Sequence, residues 1–293
     1  MNACFEERPV FFPGPHETLA GMLTVPSDPN GYVVLQSWGT SPHPSSGMNR
    51  MRARLAHLLA EDGFASFRFD WPGQAESMGT YERASVSSNL VGECRAAESW
   101  LRAQGYEHVL VLGLCFGGHT AILSAPHMGR LEGLVAISPP VARNHEEALA
   151  KRLSLWTLMH AAMDVKPKDL ADREWRRRRM SMVKAKLPRF VPGASQPTGK
   201  LSSPLVGGID HLMQQGTPVL ILTNEGNDFR DDLEEFVDQQ GLTMQMAKVR
   251  PSRFVVLDDP VRGLASVRLQ DELISQVRTW FAELPKQVES TVH

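Results

Sequence analysis

Cys115 is the residue whose type and surroundings best suit it to chemistry, because it is the centre of the pentapeptide Gly113-Leu-Cys-Phe-Gly117. An apolar run, 108–113, leads into the pentapeptide and a helical pattern follows it, which predicts a sharp turn from a strand into a helix. Such a turn needs glycines two positions before and after its centre, since larger residues would clash there. The central side chain is then held clear of the sheet, so Cys115 is predicted to be a nucleophile. The alternative is a small buried thiol in a glycine-rich turn.

Hydrogen-bond donors for an oxyanion are predicted on both sides of this thiol. The backbone N–H of Phe116 is one donor, because that residue follows the nucleophile directly. The second is expected in the loop after the apolar run 31–37, at Gly39 or Thr40. Trp38 opens that loop and is a candidate for contact with the substrate. The partial positive charge at the start of the helix is expected to favour the thiolate form of the cysteine.

Strand and helix patterns alternate along most of the chain, which predicts an α/β fold with a mostly parallel, doubly wound sheet. No strand pattern is present between residues 139 and 210, where helical patterns, a basic run and a Pro/Gly/Ser-rich stretch occur instead. We predict a core made of residues 1–138 and 211–293, with a helical cap inserted at 139–210. The predicted strands are 9–12, 19–25, 31–37, 64–69, 108–113, 131–138, 218–223 and 253–257, and the predicted helices are 49–62, 86–103, 116–126, 231–240 and 270–284.

Three segments of the chain resemble known α/β-hydrolases: 49–89, with Phe67-Arg-Phe-Asp-Trp-Pro-Gly73; 111–118, with the cysteine turn; and 133–140, which ends in Ser-Pro-Pro. They are similar to the serine-aminopeptidase-like superfamily, and within it to the exosortase-system-associated hydrolases, some of which carry a cysteine in a Gly-Leu-Cys turn. A cysteine at this position is also similar to that of dienelactone hydrolases and of acyl-shuttling hydrolase-like proteins of nonribosomal peptide pathways. The resemblance covers nearly the whole chain, least in the cap, and implies an α/β-hydrolase fold.

The resemblance also implies a catalytic triad in the order nucleophile, acid, histidine. The acid is expected just after the strand 218–223, where Asp228 is the candidate and Glu225 a weaker one. Aspartate is also common at the start of a helix, so Asp228 could equally be a helix cap. The sequence leaves these two interpretations open.

The histidine of the triad is missing from its implied position. Counted back from Trp280 in the final helix, that position is Arg262, and no histidine occurs between His211 and His293. Arginine stays protonated at any working pH and cannot act as a general base. The conventional triad is therefore incomplete, and Arg262 is predicted to bind substrate or to lower the pKa of the thiol.

Two other histidines are candidates for a substitute base. His119 lies four residues after the cysteine but is expected to be a packed or surface residue on the helix. His43, in the loop that borders the predicted oxyanion site, is the better candidate, although it could simply be solvated. A thiol can be partly ionised without a base, whereas serine cannot, so the site could accept an acyl group from a thioester. It would activate water poorly, which favours acyl transfer over hydrolysis.

The predicted cap is strongly basic. Residues 166–189 contain ten Lys or Arg, among them four consecutive arginines, 176–179. This run is either a solvated helix or a docking surface for an acyl group carried on coenzyme A or on an acidic carrier protein. Trp156 and its apolar neighbours could line an acyl pocket or could pack the cap. Without an interleaved aromatic platform, nucleic-acid binding is not predicted.

Composition sets the broad class of the protein. The chain has 293 residues, of which 42% are hydrophobic and 22% charged, and a formal net charge of -2, as in a soluble globular protein. No signal peptide and no stretch of the ~18 apolar residues that span a bilayer is visible. The three cysteines are widely spaced, which predicts neither a disulfide framework nor a metal-binding pair. A cytoplasmic protein without cofactor, metal or membrane partner is expected, and a homodimer is one possible assembly.

Two functions follow. The first is an acyl-group enzyme with Cys115 as nucleophile, which transfers an acyl group or hydrolyses an ester or thioester. The alternative is a non-hydrolytic protein on the same fold, either a cyclase or isomerase or a small-molecule binder. In that case the triad would be degenerate and Arg262 would hold an anion.

Overall fold

The computed structural model describes most of the chain outside one long internal stretch. The described residues are 4–39, 46–80, 90–141, 203–227, 229–261, 264 and 266–284. Contacts between residues join Met1–Val141 and Leu201–His293 into one compact unit. Residues 142–202, which include most of the predicted cap, lie outside the described residues, so the cap stays a prediction.

The described elements follow the alternation expected from the sequence. The strands are β1 (Phe5–Pro13), β2 (Thr18–Pro26), β3 (Tyr32–Ser37), β4 (Ala65–Phe69), β5 (His108–Leu114), β6 (Gly133–Ile137), β7 (Val219–Asn224) and β8 (Arg253–Leu257). The helices are α1 (Met51–Glu61), α2 (Val91–Ala103), α3 (Phe116–Ser124), α4 (Ser203–Gln214), α5 (Arg230–Gln239), α6 (Leu242–Met246) and α7 (Val267–Ala282). Each predicted strand lies within two residues of an observed one, apart from the longer β1.

The described strands form a single sheet in the order β1-β2-β4-β3-β5-β6-β7-β8. The N-terminal hairpin pairs antiparallel, β2 pairs antiparallel with β4, and the pairs from β4 to β8 are parallel. The predicted mostly parallel sheet is therefore confirmed. Ser37 pairs with Gly113, and Leu114 pairs with Ile137, so β3, β5 and β6 end at the same edge of the sheet.

Helices cover both faces of this sheet, as doubly wound sheets require. On one face, Leu55 and Leu59 of α1 and Trp280 of α7 share a buried cluster with side chains of the central strands. On the other face α2, α3 and α4 pack together. None of the helices in the described ranges is both long and apolar enough to cross a membrane.

Three boundaries of the helices and the cap differ by three residues or more from the sequence-based expectation. The helix α2 begins at Val91 rather than at residue 86, and residues 86–89 lie outside the described residues. Residues 203–210, assigned to the cap, are the start of α4, and α4 packs on α3 within the core unit. A Cβ at Gly208 would overlap the carbonyl oxygen of Ile122, so this helix lies directly on α3. The last helix begins at Val267 rather than at residue 270, because the Ser266 hydroxyl accepts a hydrogen bond from the Leu269 N–H and so caps the helix.

Candidate active site

Cys115 lies in a sharp turn between β5 and α3. Its backbone has φ 53° and ψ -124°, a conformation that is costly for a residue with a Cβ. The Cys115 N–H donates to the carbonyl of Ile137 at 2.8 Å, and the His119 N–H donates to the carbonyl of Cys115 at 3.1 Å. These bonds connect the turn to β6 on one side and to α3 on the other, and so hold the strained residue in place.

The glycines on either side of Cys115 are required by close backbone packing. A Cβ at Gly113 would overlap the backbone of Gly117 and Gly118. A Cβ at Gly117 would overlap the carbonyl of Ser37, at the end of β3. The same carbonyl end of β3 is joined to the turn by a hydrogen bond from the Ser37 hydroxyl to the carbonyl of Gly117, at 3.1 Å. The end of β3 and the start of α3 are therefore in direct contact.

Gly39, in the predicted oxyanion loop, lies beside Cys115. A Cβ built on Gly39 would be 3.4 Å from the Cβ of Cys115 and 3.8 Å from the backbone nitrogen of Phe116. The structure thus brings together Gly39, Cys115 and Phe116, three of the residues expected at the site. Trp38, a further predicted site residue, lies directly before Gly39. The other predicted site residues lie outside the described part of the chain: Thr40, His43, Trp156, Asp228 and Arg262.

Burial raises the pKa of the Cys115 thiol to about 11, although a hydrogen bond from the Phe116 backbone lowers it in part. The backbone N–H at the helix start favours the thiolate, as expected, but the cost of desolvating the charge is larger, so the thiol is not partly ionised without help. With such a pKa, only roughly one thiol in ten thousand is ionised at pH 7. Attack by this sulfur requires that its proton is taken up as the new bond forms.

Trp38, a predicted substrate residue, is largely buried against protein. Its carbonyl accepts a hydrogen bond from the Trp71 indole N–H at 2.7 Å, and the Arg52 guanidinium carbon lies 5.4 Å from the centre of its ring. These contacts fix the position of the residue just before Gly39. A role for Trp38 in binding substrate stays a prediction.

Arg52, on α1, is a buried residue that the sequence analysis missed. Its guanidinium donates to the carbonyls of Gln36 and Phe69, at 3.2 and 3.0 Å, and lies 3.9 Å from the carboxylate of Asp70. Burial lowers the pKa of Arg52 to about 10, against the opposing effect of Asp70, so the side chain still carries its charge at neutral pH. The sequence does contain a sign of this burial. Arg52 lies three residues before Leu55, at the spacing of the apolar stripe of α1.

The loops after β7 and β8, which contain the predicted positions of the acid and the histidine, are in contact. The Asn224 side-chain amide donates to the carbonyls of Asp259 and Val261, at 2.8 and 2.9 Å. The Gly226 N–H also donates to the carbonyl of Asp259, at 2.9 Å. The described neighbours of Asp228 and Arg262 therefore lie together at one edge of the sheet.

Asp259 stabilises the second of these loops from within. Its carboxylate is fully buried, accepts the Val261 N–H at 2.8 Å and accepts the guanidinium of Arg268 at 2.6 Å. Sequence reasoning considered neither Asn224 nor Asp259, since their partners are carbonyls and side chains whose positions depend on the folded loops.

His119, expected to be a packed or surface residue, is packed, and Cys94 is likewise a residue of the core. His119 is buried and its Nδ1 lies 2.7 Å from the carbonyl of Pro140, to which it can donate. Cys94 is fully buried in α2, and desolvation raises the pKa of its thiol to about 12. Among the described residues, no three His, Cys, Asp or Glu side chains gather in a way that could hold a metal ion.

The described sheet, its covering helices and the left-handed turn at the end of β5 together define an α/β-hydrolase fold. A family model described as the alpha/beta hydrolase family matches residues 23–264, and the chain belongs to that family. An uncharacterized protein of Rickettsia prowazekii (strain Madrid E) is 28% identical over an alignment of 145 residues, which covers 47% of this chain. The aligned part spans only 57% of that relative.

Solved structures with the same fold include several hydrolases. The Pyrococcus furiosus esterase Pf2001 has a TM-score of 0.65 at 16% identity, over 96% of this chain and 93% of its own. A serine hydrolase without lid from Xanthomonas campestris has a TM-score of 0.56 at 15% identity, over 97% of each chain. Est1E from Butyrivibrio proteoclasticus, with ferulic acid bound, has a TM-score of 0.57 at 13% identity, over 94% and 98%. At these identities the likeness establishes the fold alone.

Proposed function

We propose that this protein is an acyl-group enzyme in which Cys115 attacks the carbonyl carbon of an ester or thioester. The observation that carries the proposal is the strained, positive-φ backbone of Cys115 at the start of α3, beside Gly39 and the Phe116 N–H. A cysteine that only fills space needs no such conformation, and strain of this kind is characteristic of functional turns. The esterase and hydrolase folds that resemble the chain are consistent with this chemistry.

The first step conserves atoms and charge when the donor is a thioester. The Cys115 sulfur bonds to the acyl carbon, the bond from that carbon to the leaving sulfur breaks, and the thiol proton passes to the leaving sulfur. Donors at Phe116 and near Gly39 stabilise the oxyanion in between. The pKa of Cys115 is raised to about 11, so the thiol must lose its proton during the reaction. An acyl thioester, whose leaving sulfur can accept that proton, therefore suits this site better than an ester with a poor leaving group.

Transfer is favoured over hydrolysis in this proposal. Water must be deprotonated to release an acyl group from sulfur, and Arg262 stands in the sequence where the resemblance implies the histidine. The acyl group would therefore remain on Cys115 until an acceptor with a better nucleophile arrives. The basic run at 166–189 would suit a phosphate-bearing donor such as an acyl coenzyme A or an acidic acyl carrier protein. Within the family, we assign the chain to the exosortase-system-associated hydrolases, because its Gly-Leu-Cys turn resembles theirs.

A second candidate is supported by the same pKa. A thiol held neutral by burial is poorly suited to attack, and a binder or isomerase on this fold would need no nucleophile at all. In that case Cys115 would be incidental and Arg262 would hold an anionic ligand.

The deciding experiment is intact-mass spectrometry after incubation with short- and medium-chain acyl coenzyme A thioesters. The wild type should gain one acyl group, and Cys115→Ala should gain none. Cys4→Ser is the matched control, because Cys4 is exposed and is the thiol most open to non-specific acylation. An adduct that disappears in Cys4→Ser but persists in Cys115→Ala would overturn the proposal. No adduct on any variant would favour the binder or isomerase.

A further inference from the structure

The segment Trp38–Gly39, which passes directly beside Cys115, is held by groups from two other elements. The Trp71 indole, in the turn after β4, donates to the Trp38 carbonyl at 2.7 Å. The Arg52 guanidinium, on α1, lies 5.4 Å from the Trp38 ring centre, which places a cation over an aromatic face. We call Arg52 and Trp71, which both contact Trp38, the clamp.

Arg52 also contacts the chain on both sides of the segment 40–45. On one side its guanidinium donates to the carbonyl of Gln36, two residues before Trp38. On the other, its backbone N–H donates to the carbonyl of Ser46 at 3.0 Å. Its side chain also lies so close to Gly47 that a Cβ there would be 2.9 Å from the Arg52 Cγ. One residue thus determines where the chain leaves β3 and where it enters α1.

The buried charge of Arg52 is expected to contribute little to the stability of the fold. Arg52 is 3% exposed, and its acidic neighbour Asp70 is 3.9 Å away, beyond hydrogen-bond distance. Among the described residues, the Arg52 Nε has no hydrogen-bond partner. Buried ion pairs of this kind are often no better for stability than apolar side chains of the same volume. What the guanidinium does uniquely is to reach two strand-end carbonyls, those of Gln36 and Phe69, while stacking on Trp38.

We propose that Arg52, assisted by Trp71, is a positioning residue that holds Trp38–Gly39 against the nucleophile turn, where the second oxyanion donor is needed. The proposal rests on the acyl-group function proposed above. In this role the buried arginine would stabilise the transition state indirectly. A hydrogen-bond donor that is displaced by about 1 Å from the oxyanion loses most of its stabilising effect. In this proposal Arg52 and Trp71 act through Trp38–Gly39 and not on the sulfur itself.

The test compares Arg52→Met, Arg52→Lys and Trp71→Phe with the wild type. Arg54→Met is the control, because Arg54 is on the same helix but makes a surface ion pair with Asp271. Two rates are measured for Cys115: acylation by an acyl coenzyme A over a range of concentrations, and alkylation by iodoacetamide. Alkylation forms no oxyanion, so its rate measures the reactivity of the thiol independently of the oxyanion donors. Amide hydrogen exchange at Trp38 and Gly39 is followed in the same variants.

The expected result is a loss of about 10- to 100-fold in the saturating acylation rate for Arg52→Met and Trp71→Phe. The half-saturating concentration and the alkylation rate should stay within about twofold of the wild type, with Arg52→Lys between the wild type and Arg52→Met. Exchange at Trp38 and Gly39 should be faster in Arg52→Met and unchanged in Arg54→Met. If Arg52→Met does not fold, Trp71→Phe, which removes a single donor, carries the comparison.

An unchanged acylation rate, or equal losses of acylation and alkylation, would overturn the positioning role. Failure of the proposed function has a different signature, which is absence of acylation in the wild type itself. In that event, faster exchange at Trp38 and Gly39 in Arg52→Met would still support the clamp, and unchanged exchange would overturn it.

Discussion

At the scale of single residues, Cys115 combines a strained backbone with a thiol that is hard to ionise. Its positive φ costs on the order of 1–3 kcal/mol, which the surrounding backbone hydrogen bonds must offset. Its raised pKa, about 11, comes from burial and is opposed only by the Phe116 N–H among the described residues. The backbone is therefore arranged for attack, while the proton must be removed during the reaction by the substrate or by a group outside the described residues.

This pKa predicts how the reactivity of Cys115 depends on pH. Only the thiolate is alkylated, and a raised pKa means that the thiolate fraction keeps rising up to pH about 11. The iodoacetamide rate of Cys4→Ser should therefore increase about 10-fold per pH unit from pH 6.5 to 9.5, without a plateau. Modification is measured by peptide mass spectrometry at Cys115. A plateau below pH 8 would mean that a nearby cation, such as Arg262, lowers the pKa, and would contradict the prediction.

At the scale of elements, α4 lies so close to α3 that the position of Gly208, between the two helices, admits no side chain. Gly207 and Gly208 are consecutive in this helix, yet a Cβ at Gly207 would meet nothing within 4 Å, whereas one at Gly208 would overlap the Ile122 carbonyl of α3. The helix therefore approaches α3 at backbone distance along one side only. This contact explains why residues 203–210 belong to the core and not to the predicted cap.

The two glycines give a paired prediction. Gly207→Ala should stabilise the protein by about 0.5–1 kcal/mol, because alanine has the better helix propensity and the position is open. Gly208→Ala should destabilise it by about 2 kcal/mol or more, because neither backbone can move away without breaking the α3–α4 packing. Urea unfolding of both variants measures the difference. Equal effects in the two variants would show that α4 is not packed on α3 in this way.

At the scale of the whole molecule, the site is assembled where distant parts of the chain meet at one edge of the sheet. Cys115 comes from β5, Gly39 follows β3, and the expected acid and Arg262 follow β7 and β8. Asn224 joins the last two loops, because its amide donates to both Asp259 and Val261. The relative position of these two loops thus depends on a side chain outside the predicted site.

Asn224→Asp should damage the protein more than Asn224→Ala. Alanine loses two hydrogen bonds from a buried position, which costs about 1–3 kcal/mol. Aspartate places a carboxylate oxygen opposite carbonyl oxygens and buries a charge without a donor, so its cost should exceed that of alanine by at least about 1 kcal/mol. Gln239→Ala, on the exposed side of α5, is the control and should lie within about 0.5 kcal/mol of the wild type. Denaturant unfolding gives the order, and a smaller effect for aspartate would contradict it.

Much of the fold could be predicted because the sequence patterns that specify its strands and turns are local. The apolar runs that became β3, β5 and β7 are continuous, as expected of strands covered on both faces, and the glycines at 113 and 117 marked the turn at Cys115. The start of α7 was missed by three residues because Ser266 was not recognised as a cap. The extent of α4 was missed because helical periodicity does not reveal which neighbour a helix packs against.

The sequence by itself determined the class of fold and the position of the sharp turn at Cys115, and it has Arg262 where the resemblance implies a histidine. Residue types and spacings along the chain predict the first two, and the resemblance implies the third. Only the tertiary structure decided that the Cys115 pKa rises, that Arg52 holds the segment before Gly39 and that Asn224 joins two loops. The physical reason is that desolvation and hydrogen bonding depend on which atoms meet across the fold. Arg52, for example, meets Gln36 and Trp38 only because α1 folds back over the ends of β3 and β4.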